Sequence, residues 1–246
     1  MTQSVRAEKT TARSESEVTR APLTGRREEA KSERRLRIIS AARDLIRERG
    51  HTNLSMRTIA KRAKVSLGTP YNLFGSKRAV VLAVLEDERD FAERFANLHP
   101  LDPIERIFQA LTLAVGYYTD DPDFYRTLWK ALLDTSSREG AAGLATPERR
   151  AQSHALWRKL IENAQRGGAL AREVSAVALE RNLAYAFNGV MLSWVLGGID
   201  TCDMLPAAGF AYALALKGAA TKSGREHLTK RIATYQKHLA RRRAAA

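Results

Sequence analysis

Residues Arg37–Glu86 read RIISAARDLIRERGHTNLSMRTIAKRAKVSLGTPYNLFGSKRAVVLAVLE, and their spacing decides the fold of this part of the chain. Ile38, Ala41, Ala42, Leu45 and Ile46 recur at helical intervals. Gly50 follows them as a helix-ending residue should, because it enters the left-handed region at no steric cost. Ser55 opens a second short helix whose inner face is Ile59, Ala60 and Ala63. A tight turn through Lys64–Val65 leads to Ser66, which caps a third helix over Leu67–Leu73, and Ser76 caps a fourth. Two short helices separated by three or four residues, the second slim enough to enter a major groove, form a helix-turn-helix.

Outward from this segment, the charge distribution is uneven. The chain has 246 residues and a net charge of +14. Residues 1–37 carry +4, 38–86 carry +6, 87–221 carry −3 and 222–246 carry +7. Positive ends around a slightly acidic body suit a polyanion at the ends and something small or uncharged in the middle. A charge run by itself is equally well a solvated face. With 44% hydrophobic residues the chain can bury a sizeable core. The lone Cys202 excludes an intramolecular disulfide framework and suits a reducing cytoplasm. No apolar run reaches the length of a membrane span, and the first residues lack the apolar stretch of a secretory signal, so a cytoplasmic protein is expected.

Residues 1–33 are rich in Ser, Thr, Arg and Glu and read as a flexible extension. Past the helix-turn-helix, helix starts repeat one pattern, a capping residue followed by Pro: Asp102-Pro103, Asp121-Pro122 and Thr146-Pro147. Glu105 stands where it would complete a capping box with Asp102. Helices are expected at about 76–96, 102–119, 122–135 and 147–166, with a Gly/Ala loop at Arg138–Ala145. Two more follow at about 174–197 and 203–219. The first is apolar almost all round and its partner, MLPAAGFAYALALKGAA, is rich in small residues. Such a pair at the end of a domain fits a four-helix dimer interface, packing within one subunit being the alternative. Residues 225–243 form a basic amphipathic helix with Leu228, Ile232, Tyr235 and Leu239 on one stripe. No strand pattern of useful length and no repeat is found, and the fold class is all-α.

The helix-turn-helix resembles the N-terminal DNA-binding domain of the tetracycline-repressor (TetR) family of bacterial transcriptional regulators. The matching residues are Ala41, Ala42 and Leu45, then Gly50, Ile59-Ala60, Val65-Ser66, Gly68-Thr69, Tyr71, Phe74 and Lys77, in the family's order over about fifty residues. The rest of the chain agrees in helical character and length. The resemblance implies a three-helix DNA-binding domain at 34–80, an effector-binding and dimerisation domain at 81–221 and, here, a basic C-terminal helix at 222–246.

Leu67, Gly68, Thr69, Pro70, Tyr71 and Asn72 make up the candidate recognition helix. Thr69 and Asn72 can hydrogen-bond base edges, Leu67 can pack on a thymine methyl, and Gly68 permits close approach to the duplex. The resemblance assigns Tyr71 and Lys77 to phosphates. Ser55 and Arg57 open the second helix, where backbone N–H groups favour anions, and Arg57 reaches either phosphate or base. Arg57, Thr69 and Asn72 are thus expected to set specificity, and Ser55, Tyr71 and Lys77 to anchor. Ser66 is first of all a cap, and it belongs to the same surface. Pro70 departs from the family's usual apolar residue. Counted from Ser66 as cap it is the fourth helical residue, where its missing N–H forfeits a bond and invites a tighter opening turn. Arg26 and Arg27 of the extension are candidates for an adjacent minor groove.

The family's helical body encloses an effector pocket, so the resemblance implies one here. Phe108, Leu111, Tyr125, Trp129, Trp157 and Met191 are the candidate lining residues, with core packing the competing reading of each. His154 or Arg158 could add a polar handle. A mostly apolar ligand with one or two polar groups would suit this mix.

No catalytic constellation is present. His51, His99, His154, His227 and His238 show no metal-ligand spacing among themselves or with Cys202. Asp120, Asp121 and Asp123 lack the glycine turn and distal Glu of a calcium loop. No cofactor or metal is called for, and an enzyme is not expected. The sequence thus points to a homodimeric, ligand-responsive regulator, most simply a repressor. Its partners would be double-stranded DNA at a near-palindromic operator, a second copy and a small effector, with no membrane. The alternatives are a nucleoid-type protein coating DNA without an effector, and a ligand-binding or scaffold protein that no longer reads DNA.

Overall fold

The computed structural model describes residues 23–87, 95–96, 102–133 and 145–243. Among these the regular structure is helical, one antiparallel bridge between Leu170 and Ala220 aside. The helices are α1 (Leu23–Arg49), α2 (Met56–Arg62), α3 (Gly68–Phe74), α4 (Lys77–Asp87), α5 (Pro103–Asp120), α6 (Pro122–Leu133), α7 (Pro147–Arg166), α8 (Ala176–Val195), α9 (Met204–Gly218) and α10 (Lys222–Arg243). A 3₁₀ turn at Thr201–Asp203 leads into α9.

The helix starts follow the capping chemistry. Ser55 accepts the Thr58 N–H at 3.1 Å, Asp102 that of Ile104 at 2.9 Å, Thr146 that of Arg149 at 3.3 Å and Ser175 that of Ala178 at 3.3 Å. Each bond satisfies a donor that the first helical turn leaves open. Two acidic residues serve elsewhere. The Glu105 side chain, instead of closing a capping box, binds Arg231 and, at 2.7 Å, His227, both on α10. The Asp121 carboxylate pairs with Arg47 of α1 at 3.3 Å. With a cation both ends of the hydrogen bond are charged, whereas a backbone N–H offers the carboxylate only a dipole.

The boundaries differ from the sequence expectation at several places. Helix α1 begins at Leu23, inside the segment read as a flexible extension, and residues 26–37 of it are exposed. This stretch is held by the helix it continues, not by burial. Arg26 and Arg27 therefore lie on an exposed helical turn. Residues 1–22, 88–94 of the helix expected at 76–96, His99, and most of the loop Arg138–Ala145 lie outside the described residues. The last helix starts at Lys222, three residues ahead of expectation.

One apolar core runs through the molecule. In the N-terminal part Ile38, Ala42, Leu45 and Ile46 of α1 pack with Leu54, Ile59 of α2 and Val80 and Val84 of α4. In the body α5, α6, α7 and α9 bury Ile107, Leu111, Leu128, Ile161 and Leu216 completely. The basic α10 lies along α9, with Leu228 buried and Tyr235 over Gly209, where any side chain would meet the Tyr235 ring. At the start of α10, Gly224 passes so close to the Ala169 carbonyl that a Cβ could not fit. The basic amphipathic helix thus packs on α9 of its own chain.

Candidate nucleic-acid interface and ligand cavity

The candidate DNA contacts are almost all on the exterior. Ser55, Arg57, Ser66, Leu67, Gly68, Tyr71, Asn72 and Lys77 are exposed and Thr69 is half-buried. Leu67, which caps α3, and Tyr71, one turn on, are 46% and 53% exposed. Pro70 is buried and Leu73 and Phe74 are half-buried against the core, so α3 has an inner and an outer side. Lys64 takes up the turn between α2 and α3 in the left-handed region, at φ 54°.

The opening of α3 resolves the role of Pro70. The helix begins at Gly68, with Leu67 as a cap residue that makes no side-chain cap bond. The Thr69 N–H donates to the Ser66 carbonyl at 3.0 Å, a tight three-residue turn, and the hydroxyls of Ser66 and Thr69 lie 2.7 Å apart. Pro70 is thereby the third helical residue, whose N–H would have no intrahelical acceptor. It forfeits nothing, contrary to the count from a Ser66 cap. Ser66 instead ties the Thr69 hydroxyl, and Gly75, at φ 75°, closes the helix by donating to Tyr71.

Charge is also organised here. Lys77 stands exposed at the first turn of α4, preceded by the Ser76 cap. Arg62 is held by Glu48 through two hydrogen bonds of 2.8 and 2.7 Å, which lowers the Glu48 pKa and raises that of Arg62. Arg35, absent from the sequence-based candidates, stacks on Phe74 at 4.4 Å and donates to the Leu73 carbonyl at the end of α3. A cation there complements the helix dipole. No motif marks it, because the contact joins α1 to α3 across 38 residues.

The body contains a cavity of about 530 Å³ bounded by α5, α6, α7, α8 and α9. Trp129 and Trp157 are in its wall, together with Tyr117, Phe187 and Tyr212. Phe108, Leu111, Tyr125 and Met191 are not; they are fully packed core residues. A helical stripe specifies which side chains point inward, and a core and a cavity wall look alike at that level. His154 faces the cavity and Arg158 is not in its wall. Missed altogether was Glu180, 2% exposed, which accepts a 2.6 Å hydrogen bond from His154 Nδ1. Burial, with the Glu180 charge nearby, raises the Tyr212 pKa and keeps its phenol protonated. Glu180 lies on a mostly apolar helix, 26 residues from its partner, and only the packing of α7 on α8 makes the pair.

Polar contacts tie the cavity-bearing body to α1 and α4, among them the Thr146 N–H on the Glu86 carboxylate at 2.7 Å. Arg47 of α1 pairs with Asp121 and covers the Phe124 ring at 4.4 Å. Arg78 of α4 donates to the Leu132 carbonyl of α6 at 2.6 Å. Elsewhere the tertiary structure gathers Asp200, Cys202 and Asp203, with ligand atoms within 4.8 Å of one another. The cluster is largely exposed, an arrangement that acidic surfaces adopt without an ion. No described helix is long and apolar enough to cross a membrane.

A helix-turn-helix whose second helix has an exposed outer face is here joined to a body that is helical among the described residues. Residues 38–84 match the sequence model of the bacterial regulatory proteins of the tetR family. The HTH-type transcriptional regulator UidR of Escherichia coli K12 is 26% identical over 183 residues, covering 73% of this chain and 88% of UidR. The HTH-type transcriptional repressor KstR of Rhodococcus jostii is 30% identical over 105 residues, 42% of this chain and 50% of KstR. A TetR transcription regulator of Haloarcula marismortui has the same fold, with a TM-score of 0.59 at 20% identity over 77% of this chain and 100% of that one. The N-terminal segment is thus similar to the tetR-family regulators over residues 38–84, and the chain shares the fold of solved TetR regulators.

Proposed function

We propose that the protein is a homodimeric, sequence-specific repressor that binds a near-palindromic operator and is released by a small, mostly apolar effector. The observation that carries the reading is the outer side of α3. Leu67, Gly68, Tyr71 and Asn72 are exposed together, flanked by Arg57 and Lys77 at two helix starts. Base edges would be read by Arg57, Thr69 and Asn72, and phosphates held by Ser55, Tyr71 and Lys77. Tying of the Thr69 hydroxyl to Ser66 fixes its direction and leaves its methyl for a thymine.

Dimerisation through α8 and α9 is supported by what those helices leave uncovered. Tyr185 and Leu196 of the α8 segment are 71% and 73% exposed, and Leu192 and Leu214 nearly half. A second copy covering them would bring two recognition helices onto one duplex, where successive major grooves are about 34–36 Å apart. Effector control would run through Arg47 and Arg78. A ligand that binds better when α6 sits differently shifts the dimer away from the DNA-competent arrangement by its differential affinity.

Selection of genomic fragments by the purified protein at near-physiological salt tests the reading. An enriched near-palindromic site is the expected result. Retention without a shared sequence, lost on a modest salt increase, would replace it with a nonspecific coating role.

A further inference from the structure

One line of residues runs the length of α1: Arg27, Lys31, Arg34, Ile38, Ala41 and Leu45. The spacing alternates between four and three, which keeps the line on one side of a helix. Its second half is core, with Ile38, Ala41 and Leu45 buried. Its first half keeps the register but carries cations, and all three are exposed. Like charges one turn apart repel, so this arrangement costs helix stability. Little on the helix offsets it. Arg26 has Glu29 one turn away and Arg37 has Glu33, but no acid stands one turn from Arg27 or Arg34. Among the described residues neither makes an ion pair, and Lys31 meets Glu28 at 3.5 Å in a well-exposed pair of little strength. The uncompensated charge of this segment therefore lies on the side that the core stripe defines.

That side leads from the reading helix. Arg35, next to Arg34, donates to the Leu73 carbonyl at the end of α3 and stacks on Phe74, and Lys77 opens α4 just beyond. From there Lys31 and Arg27 carry the line outward, Arg27 standing ~10 Å past Arg34 at 1.5 Å per residue. We propose that Arg27, Lys31 and Arg34 grip DNA phosphates just outside the stretch read by α3, so that α1 lengthens the footprint on each half-site. The proposal rests on the DNA-binding reading and extends it. Two observations choose the duplex as the occupant: the stripe has the sign a polyanion requires, and it continues the surface of α3 and Lys77 without a break in the helix. Duplex DNA carries one charge per ~1.7 Å of axis, so a stretch of ~10 Å offers more phosphates than there are cations. Shape decides which part of the duplex is met. The segment is helical, and a helix ~10 Å across does not enter a minor groove ~6 Å wide, so these side chains reach backbone and not base edges. The minor-groove role expected of Arg26 and Arg27 would need an extended arm.

Fluorescence anisotropy of the full-length protein on two labelled duplexes tests this. One is the site selected from genomic fragments, trimmed to ~20 base pairs, and the other carries the same site with arbitrary flanks to ~40 base pairs. The test variant is Arg27→Gln, Lys31→Gln and Arg34→Gln together, since glutamine removes charge and keeps helix propensity. A second variant with alanine at the three positions separates loss of charge from loss of helix, and circular dichroism establishes the helicity of each. Arg225→Gln, Lys237→Gln and Arg241→Gln on α10 remove the same charge from exposed positions elsewhere. The flanks should tighten parent binding ~10-fold, and the α1 variants should lose that gain while the α10 variant keeps it. With one to three phosphates held per subunit of a dimer, the salt slope of the α1 variants on the long duplex should be shallower by ~1.8 to ~5.4. An α1 variant with the parent's slope and flank gain overturns the proposal, as does an α10 variant that loses as much. A specific site bound without any contribution from the flanks or the three cations refutes the α1 grip and leaves the repressor reading standing. If selection returns no site, the slopes are measured on a random-sequence duplex. A shallower slope in the α1 variants alone then sustains the grip and refutes sequence-specific reading.

Discussion

Replacing Lys77 with alanine should change the salt dependence of operator binding more than any other single substitution on the α4 start. Lys77 is exposed and makes no ion pair among the described residues, so its full charge is available to a phosphate. Each neutralised phosphate contributes ~0.9 to the slope of log affinity against log salt. A dimer loses two such contacts in the variant, and the slope should become shallower by ~1.8. Between 50 and 200 mM salt that difference amounts to a factor of about 12. At the low end of that range the variant binds much more weakly than the parent, and the two converge as salt rises. Arg62 is the internal control: Glu48 already neutralises it through two hydrogen bonds, and Arg62→Ala should leave the slope nearly unchanged. Tyr71→Phe should weaken binding without altering the slope, since a phenol carries no charge to the duplex. Fluorescence anisotropy of a labelled operator duplex, titrated at five salt concentrations, supplies all three slopes. An unchanged slope for Lys77→Ala would refute the assignment of Lys77 to a phosphate. A slope change for Arg62→Ala as large as that for Lys77→Ala would refute the argument from pairing.

Three other perturbations address dimerisation and stability. Leu196→Glu places a charge on the most exposed apolar side chain of the α8 segment; light scattering at micromolar concentration should show a monomer with unchanged helicity, and a persistent dimer would exclude this face. Lys64→Gly removes a side chain from the left-handed region; its urea midpoint should rise, by about 0.5–1 kcal/mol of stability, and a fall would mean that the Lys64 side chain holds the turn. Arg231 and then His227 hold the Glu105 carboxyl below its ordinary pKa of 4.5. A lowered native pKa gives stability that is present above the unfolded value and lost as pH falls through the native one. The parent should therefore lose more stability than Glu105→Gln between pH 5 and pH 3, and parallel curves from urea melts would show that the α5–α10 contact contributes nothing.

By itself the sequence determined what is local: helix starts at Ser55, Asp102 and Thr146, the stop at Gly50, and the periodic apolar rows of α1 and α2. Caps and periodicity act within one or two turns, so they are written in consecutive residues. The exposure of the candidate contact residues Leu67, Gly68, Tyr71, Asn72 and Lys77 is local for the same reason, because it follows from the register of a single helix-turn-helix. Even there Pro70 could not be placed from sequence, since one residue of difference in the cap decides whether its missing N–H matters. Only the tertiary structure decided the cavity. Trp129, His154 and Glu180 come from three helices, and where those helices fail to fill the space between them depends on crossing geometry that no stripe encodes. Phe108, Leu111, Tyr125 and Met191 carry the same inward signal and fill the core instead. The Glu180–His154 pair, Arg35 on Phe74 and Glu105 with Arg231 are of the same kind. Each joins groups far apart in the chain, and a side chain's long-range partner is fixed by packing, not by its neighbours in sequence.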